Sequence, residues 1–220
     1  MLISKKKKFI FIHIPKNAGQ SITSTLLKYC VSDRSRYAVD FLGARNYIRL
    51  NTKLKKYFNR TLYDHNFKDH ERACAVKDFI GEEYSDYFKF AIVRNPWDWL
   101  FSKYKYALKN PRHFRHKFVK NNFSSFDEFA QWECLKNDNK KFQADFLFDK
   151  EGRIIVDFIG RFENLEDDFR EICHKIEVDE KIPHFNKSLD RNYREYYSEK
   201  SRDLVREYYA SDIDFFDYEF

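Results

Sequence analysis

Short apolar runs alternate with longer stretches in which apolar residues recur at helical spacing. Three runs read as buried strands: residues 9–14, bounded by Pro15; Phe88–Val93, stopping before Asn95 and Pro96; and residues 153–159, closed by Gly160. The run at 73–76 fits either period and is placed on a helix over 69–80, ended by Gly81. Further helices are predicted at 20–31 and at 96–108, where Asn95 can cap and Pro96 sits at the tolerated first position. Ser125, Phe126, Asp127 and Glu128 form a capping-box pattern opening a helix to about Leu135. Asn164 can cap a helix over 165–176, with Leu165, Phe169, Ile172 and Ile176 on one face. A last helix spans 199–209, with Leu204, Val205 and Tyr208 on one side. Strands alternating with helices imply βαβ units and a mostly parallel sheet, an α/β fold. Residues 32–68 have weak periodicity and are the least legible part.

Composition narrows the picture. A chain of 220 residues with 43% apolar and 19% aromatic residues has ample core material for one α/β domain and is not a disordered chain. Five glycines and four prolines exclude collagen-like and low-complexity classes. The net charge of +6 suits an anionic ligand without demanding nucleic acid, because nearly as many carboxylates accompany the basic residues along the chain. The compact basic run is Lys5, Lys6, Lys7 and Lys8, which reads most simply as a solvated end. Cys30, Cys74, Cys134 and Cys173 lie far apart without zinc spacing, so reduced cysteines in or near the core are expected. No run is long enough for a secretory leader or a membrane span, and a cytoplasmic protein is the expectation.

Two segments carry chemistry. The first runs from His13 through Ile14, Pro15, Lys16, Asn17, Ala18, Gly19, Gln20 and Ser21 to Ile22, joining a buried strand to a helix. Such a turn aims the free N–H groups of the helix start at whatever sits in it. Lys16 adds charge, Ser21 a hydroxyl, and Gly19 allows a close approach, a set suited to phosphate or sulfate. It is not the G-x-x-x-x-G-K-[ST] loop: Lys16 precedes the glycine, and Asn17 stands where a magnesium-binding hydroxyl would follow the lysine. The second segment is Val93, Arg94, Asn95, Pro96, Trp97, Asp98, with Ser102 two helical turns after Arg94. An arginine leaving the carboxyl end of a parallel strand points into the crevice where such sheets bind ligands. Arg94 and Ser102 suit an anion, or Arg94 simply pairs with Asp98; Trp97 and Trp99 read as core or rim.

Together these segments resemble sulfotransferases that use 3′-phosphoadenosine 5′-phosphosulfate (PAPS), most closely the carbohydrate branch that is heparan-sulfate 2-O-like or bacterial. Phe11 to Ser21 matches F-I-H-I-P-K-[TN]-A-G-[TQ]-S, and Phe88 to Tyr104 matches F-x-F-A-x-V-R-N-P-W-D-R-x-x-S-x-Y, except that Trp99 replaces the arginine. Gly160 to Leu165 is similar to G-R-[FY]-E-N-L, and the stretch from Pro183 to Ser188 with a closing D-x-x-x-F-x-Y-x-F is similar to the family's end. The resemblance implies a P-loop-like three-layer fold with a mostly parallel central sheet flanked by helices, forming a single domain over 1–220. It implies that Lys16, Asn17, Ala18, Gly19, Gln20, Ser21 and Ile22 bind the 5′-phosphosulfate. It assigns the 3′-phosphate to Arg94 and Ser102, while Lys187, with His184 and Asn186, falls in a loop that either covers the nucleotide or is a plain surface turn. Lys16 would stabilise the leaving phosphate. His70 matches the position of the family's catalytic histidine, with Asp69 or Glu71 beside it and His65, His13 and Glu71 as other candidate bases. The implied partner is a carbohydrate or other hydroxyl acceptor, with no metal, no nucleic acid and no membrane span. Acceptor specificity would reside in 32–68 and 109–150, where no resemblance is found.

Two other readings compete. Ile154, Ile155, Val156 and Asp157 imitate a strand ending in a magnesium carboxylate, as in a nucleotide-dependent small-molecule kinase. Residues 5–8 and the net charge of +6 suit a non-catalytic binder of acidic glycans, which would weaken steeply with salt. The oligomeric state is not readable from the sequence.

Overall fold

The apolar runs form a four-stranded sheet in a computed structural model that describes residues 1–43, 46–47, 50, 70–136, 142–183 and 192–220. The strands are β1 (Leu2–Ser4), β2 (Phe9–Ile12), β3 (Phe88–Val93) and β4 (Phe158–Arg161), in the spatial order β1-β2-β3-β4. β2, β3 and β4 are parallel, and β1 pairs antiparallel with β2. The sheet is therefore mostly parallel, as predicted. β1 is an addition: three residues are too short to show a period, and residues 5–8 form the turn between β1 and β2 rather than a loose end.

The described chain divides into two compact units, Met1–Val93 with Phe146–Asn186, and Arg94–Asp145 with Lys187–Phe220. The first holds the sheet with α1 (Gly19–Leu26), α2 (Asp33–Leu42), α3 (Ala73–Ile80) and a fourth helix over Leu165–Lys175. Phe9, Phe11, Phe90 and Ile92 project from one sheet face into a core with Ile22 and Leu26 of α1, Val39 of α2, and Phe169 and Ile172. On the opposite face Ile10, Ile12, Ala91 and Val93 are equally buried. These strands lack a polar alternation because both faces are covered.

The second unit is helical. It comprises α4 (Pro96–Lys109), α5 (His116–Asn122) and α6 (Phe126–Leu135); the helix over Leu165–Lys175 in the first unit is α7, and α8 (Glu199–Tyr208) and α9 (Ala210–Phe216) complete the chain. Its core is aromatic: Phe101 meets Phe126 at 5.0 Å between ring centroids, and Trp99 meets Tyr209 at 5.8 Å. Trp97 and Trp99 are both buried, as the sequence suggests.

Several boundaries differ from expectation. The strand read at 153–159 is Phe158–Arg161; Ile154 is partly exposed and makes only an isolated antiparallel bridge to Phe148. Gly160 lies inside β4 instead of closing it, paired with Ile92, and a Cβ there would meet Ile92 Cδ1 at 2.7 Å. The strand expected over 9–14 stops at Ile12, and the helix expected over 20–31 is α1 followed by a 3₁₀ turn at Leu27–Tyr29. α3 begins at Ala73, so His70 precedes the helix and does not open it. Asn164 precedes α7 without a capping hydrogen bond; its φ and ψ of −112° and 26° differ from the extended cap conformation, and Leu165–Lys175 follows a 3₁₀ turn. The caps at Asn95 and Ser125 form: Asn95 Oδ1 accepts from the Trp97 amide at 3.1 Å and Ser125 Oγ from the Glu128 amide at 3.2 Å. All four cysteines are free.

Candidate functional site

In the first unit, the turn from β2 to α1 gathers His13, Lys16, Asn17, Ala18, Gly19, Gln20, Ser21 and Ile22 in one strand–loop–helix element. Lys16 and Ala18 hold positive φ values of 69° and 57°. Each is a conformation that L-residues adopt at a cost of about 1 kcal/mol, and such strain persists where the surroundings fix it. One fixing contact is Asn17: its side chain is buried and Nδ2 donates to the Ile92 carbonyl at 2.8 Å, tying the loop to the carboxyl end of β3.

Ile22 makes the first helical bond, to the Ala18 carbonyl at 3.1 Å, which leaves the amides of Gly19, Gln20 and Ser21 as the open donors of the first turn. That turn contains no acidic residue, whereas the first turn of α7 carries Glu166, Asp167 and Asp168. The partial positive charge of the α1 start is therefore not offset by an acidic side chain in its first turn. The Ser21 hydroxyl makes no hydrogen bond among the described residues, and Ser21 belongs to the same first turn.

Gly19 works differently from expectation. A Cβ built on it would fall 1.6 Å from His13 Nε2, so its missing side chain makes room for an imidazole. His13 stacks on Phe11 at 5.5 Å, and burial, with help from the N-terminus and His70, holds its pKa well below the usual histidine value. It stays neutral, and the ring fills space instead of serving as an exposed base. The His70 ring meets it at 4.3 Å between centroids, and His70 Nδ1 lies 3.0 Å from the His13 carbonyl oxygen. A carbonyl only accepts, so Nδ1 carries the proton that faces it and Nε2 is the other ring nitrogen. His65 and Asp69 lie outside the described residues.

In the second unit Arg94 is 8% exposed, and its guanidinium runs along α4 to Asp98, with Nε and a terminal nitrogen 2.8 and 2.7 Å from Oδ2. The Arg94–Asp98 pair, the alternative to anion binding in the sequence, therefore forms, and in a buried setting that fixes the arginine. Ser102 stands partly buried on α4. Gln143, fully buried, receives the Arg94 amide on Oε1 at 2.9 Å and donates from Nε2 to the Arg94 carbonyl at 2.7 Å. Asp212, the first residue of the closing D-x-x-x-F-x-Y-x-F stretch, accepts the Gln143 amide at 2.8 Å and the Ala144 amide at 2.9 Å; Gln143 was not singled out from the sequence. Lys187, His184 and Asn186 lie outside the described residues.

The competing carboxylate is placed elsewhere. Asp157 precedes β4, accepts the Lys89 amide at 2.7 Å and pairs with Lys89 Nζ at 2.9 Å. Lys89 is the second residue of β3, so Asp157 lies at the amino end of the parallel strands, opposite the turn that follows β2. A magnesium carboxylate of a kinase would need the other end.

The first unit thus presents a strained, lysine-bearing helix start at the carboxyl end of a buried parallel strand. The comparisons specify the class. A family model described as "Sulfotransferase family" matches residues 1–219, and the chain belongs to that family as a sulfotransferase. An uncharacterized protein of Archaeoglobus fulgidus is 32% identical over 130 residues, 56% of this chain and 96% of that protein. The crystal structure of mouse sulfotransferase SULT7A1 complexed with PAP aligns with a TM-score of 0.49 at 13% identity, covering 96% of this chain and 86% of that one.

Proposed function

We propose that the protein moves a sulfuryl group from PAPS to a hydroxyl of a carbohydrate-type acceptor by in-line displacement. The observation that carries this reading is the α1 start: open amides of Gly19, Gln20 and Ser21 in an acid-free first turn, beside Lys16 with its φ of 69°. PAPS supplies, when bound, a sulfuryl group activated by a phosphate leaving group. The loop from Lys16 to Ile22 takes the 5′-phosphosulfate, and Arg94 with Ser102 takes the 3′-phosphate; Lys187 is assigned to the nucleotide as well. As the acceptor oxygen–sulfur bond forms and the sulfur–phosphate oxygen bond breaks, Lys16 and the amides stabilise the charge left on the phosphate. His70, with its proton on Nδ1 directed at the His13 carbonyl, takes the acceptor proton on Nε2. The chain acts as a single sulfotransferase domain, with 32–68 and 109–150 choosing the acceptor.

The test is release of adenosine 3′,5′-bisphosphate from PAPS in the presence of a panel of glycans, phenols and peptides. Acceptor-dependent release with glycans is expected, falling roughly 10²- to 10⁴-fold in His70→Ala, the range for loss of a general base. Release with phenols alone would overturn the carbohydrate assignment, and an unchanged rate in His70→Ala would overturn that of the base.

A further inference from the structure

The second unit contains a buried polar chain that ends on the backbone of Arg94. We infer that Gln143 and Asp212 are positioning residues that hold Arg94 for recognition of the 3′-phosphate, an inference that rests on the function proposed above. Gln143 pairs with both backbone groups of Arg94, at 2.9 and 2.7 Å, as a neighbouring strand would. Those groups lie between the last strand residue, Val93, and the first helical residue, Pro96.

Gln143 is itself fixed. Asp212 on α9, fully buried, accepts the amides of Gln143 and Ala144 at 2.8 and 2.9 Å with its two carboxylate oxygens. Two backbone amides on one carboxylate define its orientation, and the two Gln143 contacts define that of the carboxamide. Asp98 then fixes the other end of Arg94, holding the guanidinium at 2.7 and 2.8 Å. The arginine is thus restrained at its root and its tip. A long, flexible cation preorganised in this way loses little rotamer freedom on meeting a phosphate. The closing D-x-x-x-F-x-Y-x-F pattern begins at Asp212, and this contact gives its first residue a physical task.

The experiment compares adenosine 5′-phosphate with adenosine 3′,5′-bisphosphate, which differ only in the 3′-phosphate, by calorimetric titration of the full chain. The ratio of their dissociation constants is measured for wild type, Arg94→Ala, Gln143→Met, Asp212→Asn and the Arg94→Ala/Gln143→Met double variant. Arg94→Ala is expected to lower the ratio by about 10- to 100-fold, the loss of a charge-assisted contact. Gln143→Met should lower it about tenfold, with no further fall in the double variant. Asp212→Asn keeps the size of the side chain and should give a smaller fall in the same direction, so it carries the test if Gln143→Met does not fold. Lower melting temperatures with unchanged ratios in the Gln143 and Asp212 variants would reduce the chain to a structural role and overturn the inference alone. An unchanged ratio in Arg94→Ala would overturn the proposed role of Arg94 and this inference with it.

Discussion

Gly19 has no room for a side chain, because the His13 ring occupies the place where a Cβ would stand, 1.6 Å from Nε2. Gly19→Ala is expected to push His13 off Phe11 and His70 and to weaken adenosine 3′,5′-bisphosphate binding by tenfold or more, measured by calorimetry. A glycine in this loop was legible as a close approach, but the object approached was not, since His13 precedes it by six positions and nothing in the sequence pairs them. Lys103 is a second residue whose state the fold alters. Its Nζ lies 3.2 Å from the Trp99 ring centroid, and burial pushes its pKa down to about 7, against Glu133 and Asp212 that raise it and Arg115 and Lys136 that lower it further. The unfolded chain keeps this proton up to the ordinary lysine range, near 10.5, while the folded chain releases it above about 7. In that window the unfolded state binds more protons, so the contribution to stability rises with pH and is lost as pH falls through about 7. Urea unfolding of wild type against Lys103→Met should show the difference climbing in favour of wild type, with a slope of at most about 1.4 kcal/mol per pH unit. A flat difference would contradict the lowered pKa of Lys103.

At the scale of elements, local chemistry explains what could be read and what could not. Phe88–Val93 was read with its final bounds because the run is apolar on both faces and ends before Asn95 and Pro96. Residues 153–159 share that apolar look, but Asp157 Oδ2 bonds the Lys89 amide and sets the start of pairing at Phe158. A long-range bond of this kind leaves no periodic trace. β1 and α2 were missed for lack of length or period, and the Ser32 cap of α2, which accepts the Ser35 amide at 3.3 Å, was the one local signal available. The box at α6 was legible as Ser125 and Glu128, though the glutamate reaches back to Ser124, bonding its amide and hydroxyl at 2.8 Å each. Ser125→Ala is expected to destabilise the protein by about 1 kcal/mol in urea unfolding. The first turn of α1 carries no acidic residue, whereas that of α7 carries Glu166, Asp167 and Asp168, which complement the partial positive charge of its own helix start.

At the scale of the molecule, the family match over residues 1–219 runs through both compact units. The two competing functions lose their footing within the first unit. Asp157 lies at the amino end of the parallel strands and is engaged by Lys89, away from the β2–α1 turn. The basic run at 5–8 closes the β1–β2 hairpin, where Lys7 Nζ donates to the Glu177 carbonyl at 2.6 Å and Lys8 Nζ sits 4.9 Å from the Tyr87 ring centroid. Lys7 and Lys8 are thereby engaged within their own unit. Among the described residues no helix is long and apolar enough to cross a membrane. Most of the candidate site was legible because the β2–α1 turn and Arg94 lie in contiguous motifs. Gln143 was not, because it lies 49 positions from Arg94 and acts through backbone contacts that any sequence context permits.

The most direct measurement is calorimetric titration of wild type and Lys16→Ala with adenosine 3′,5′-bisphosphate, and of wild type with ADP and with ATP plus Mg²⁺. The account predicts metal-free binding of the bisphosphate, weakened at least tenfold in Lys16→Ala and little changed by moderate salt. Binding of Mg·ATP in preference to the bisphosphate would contradict it.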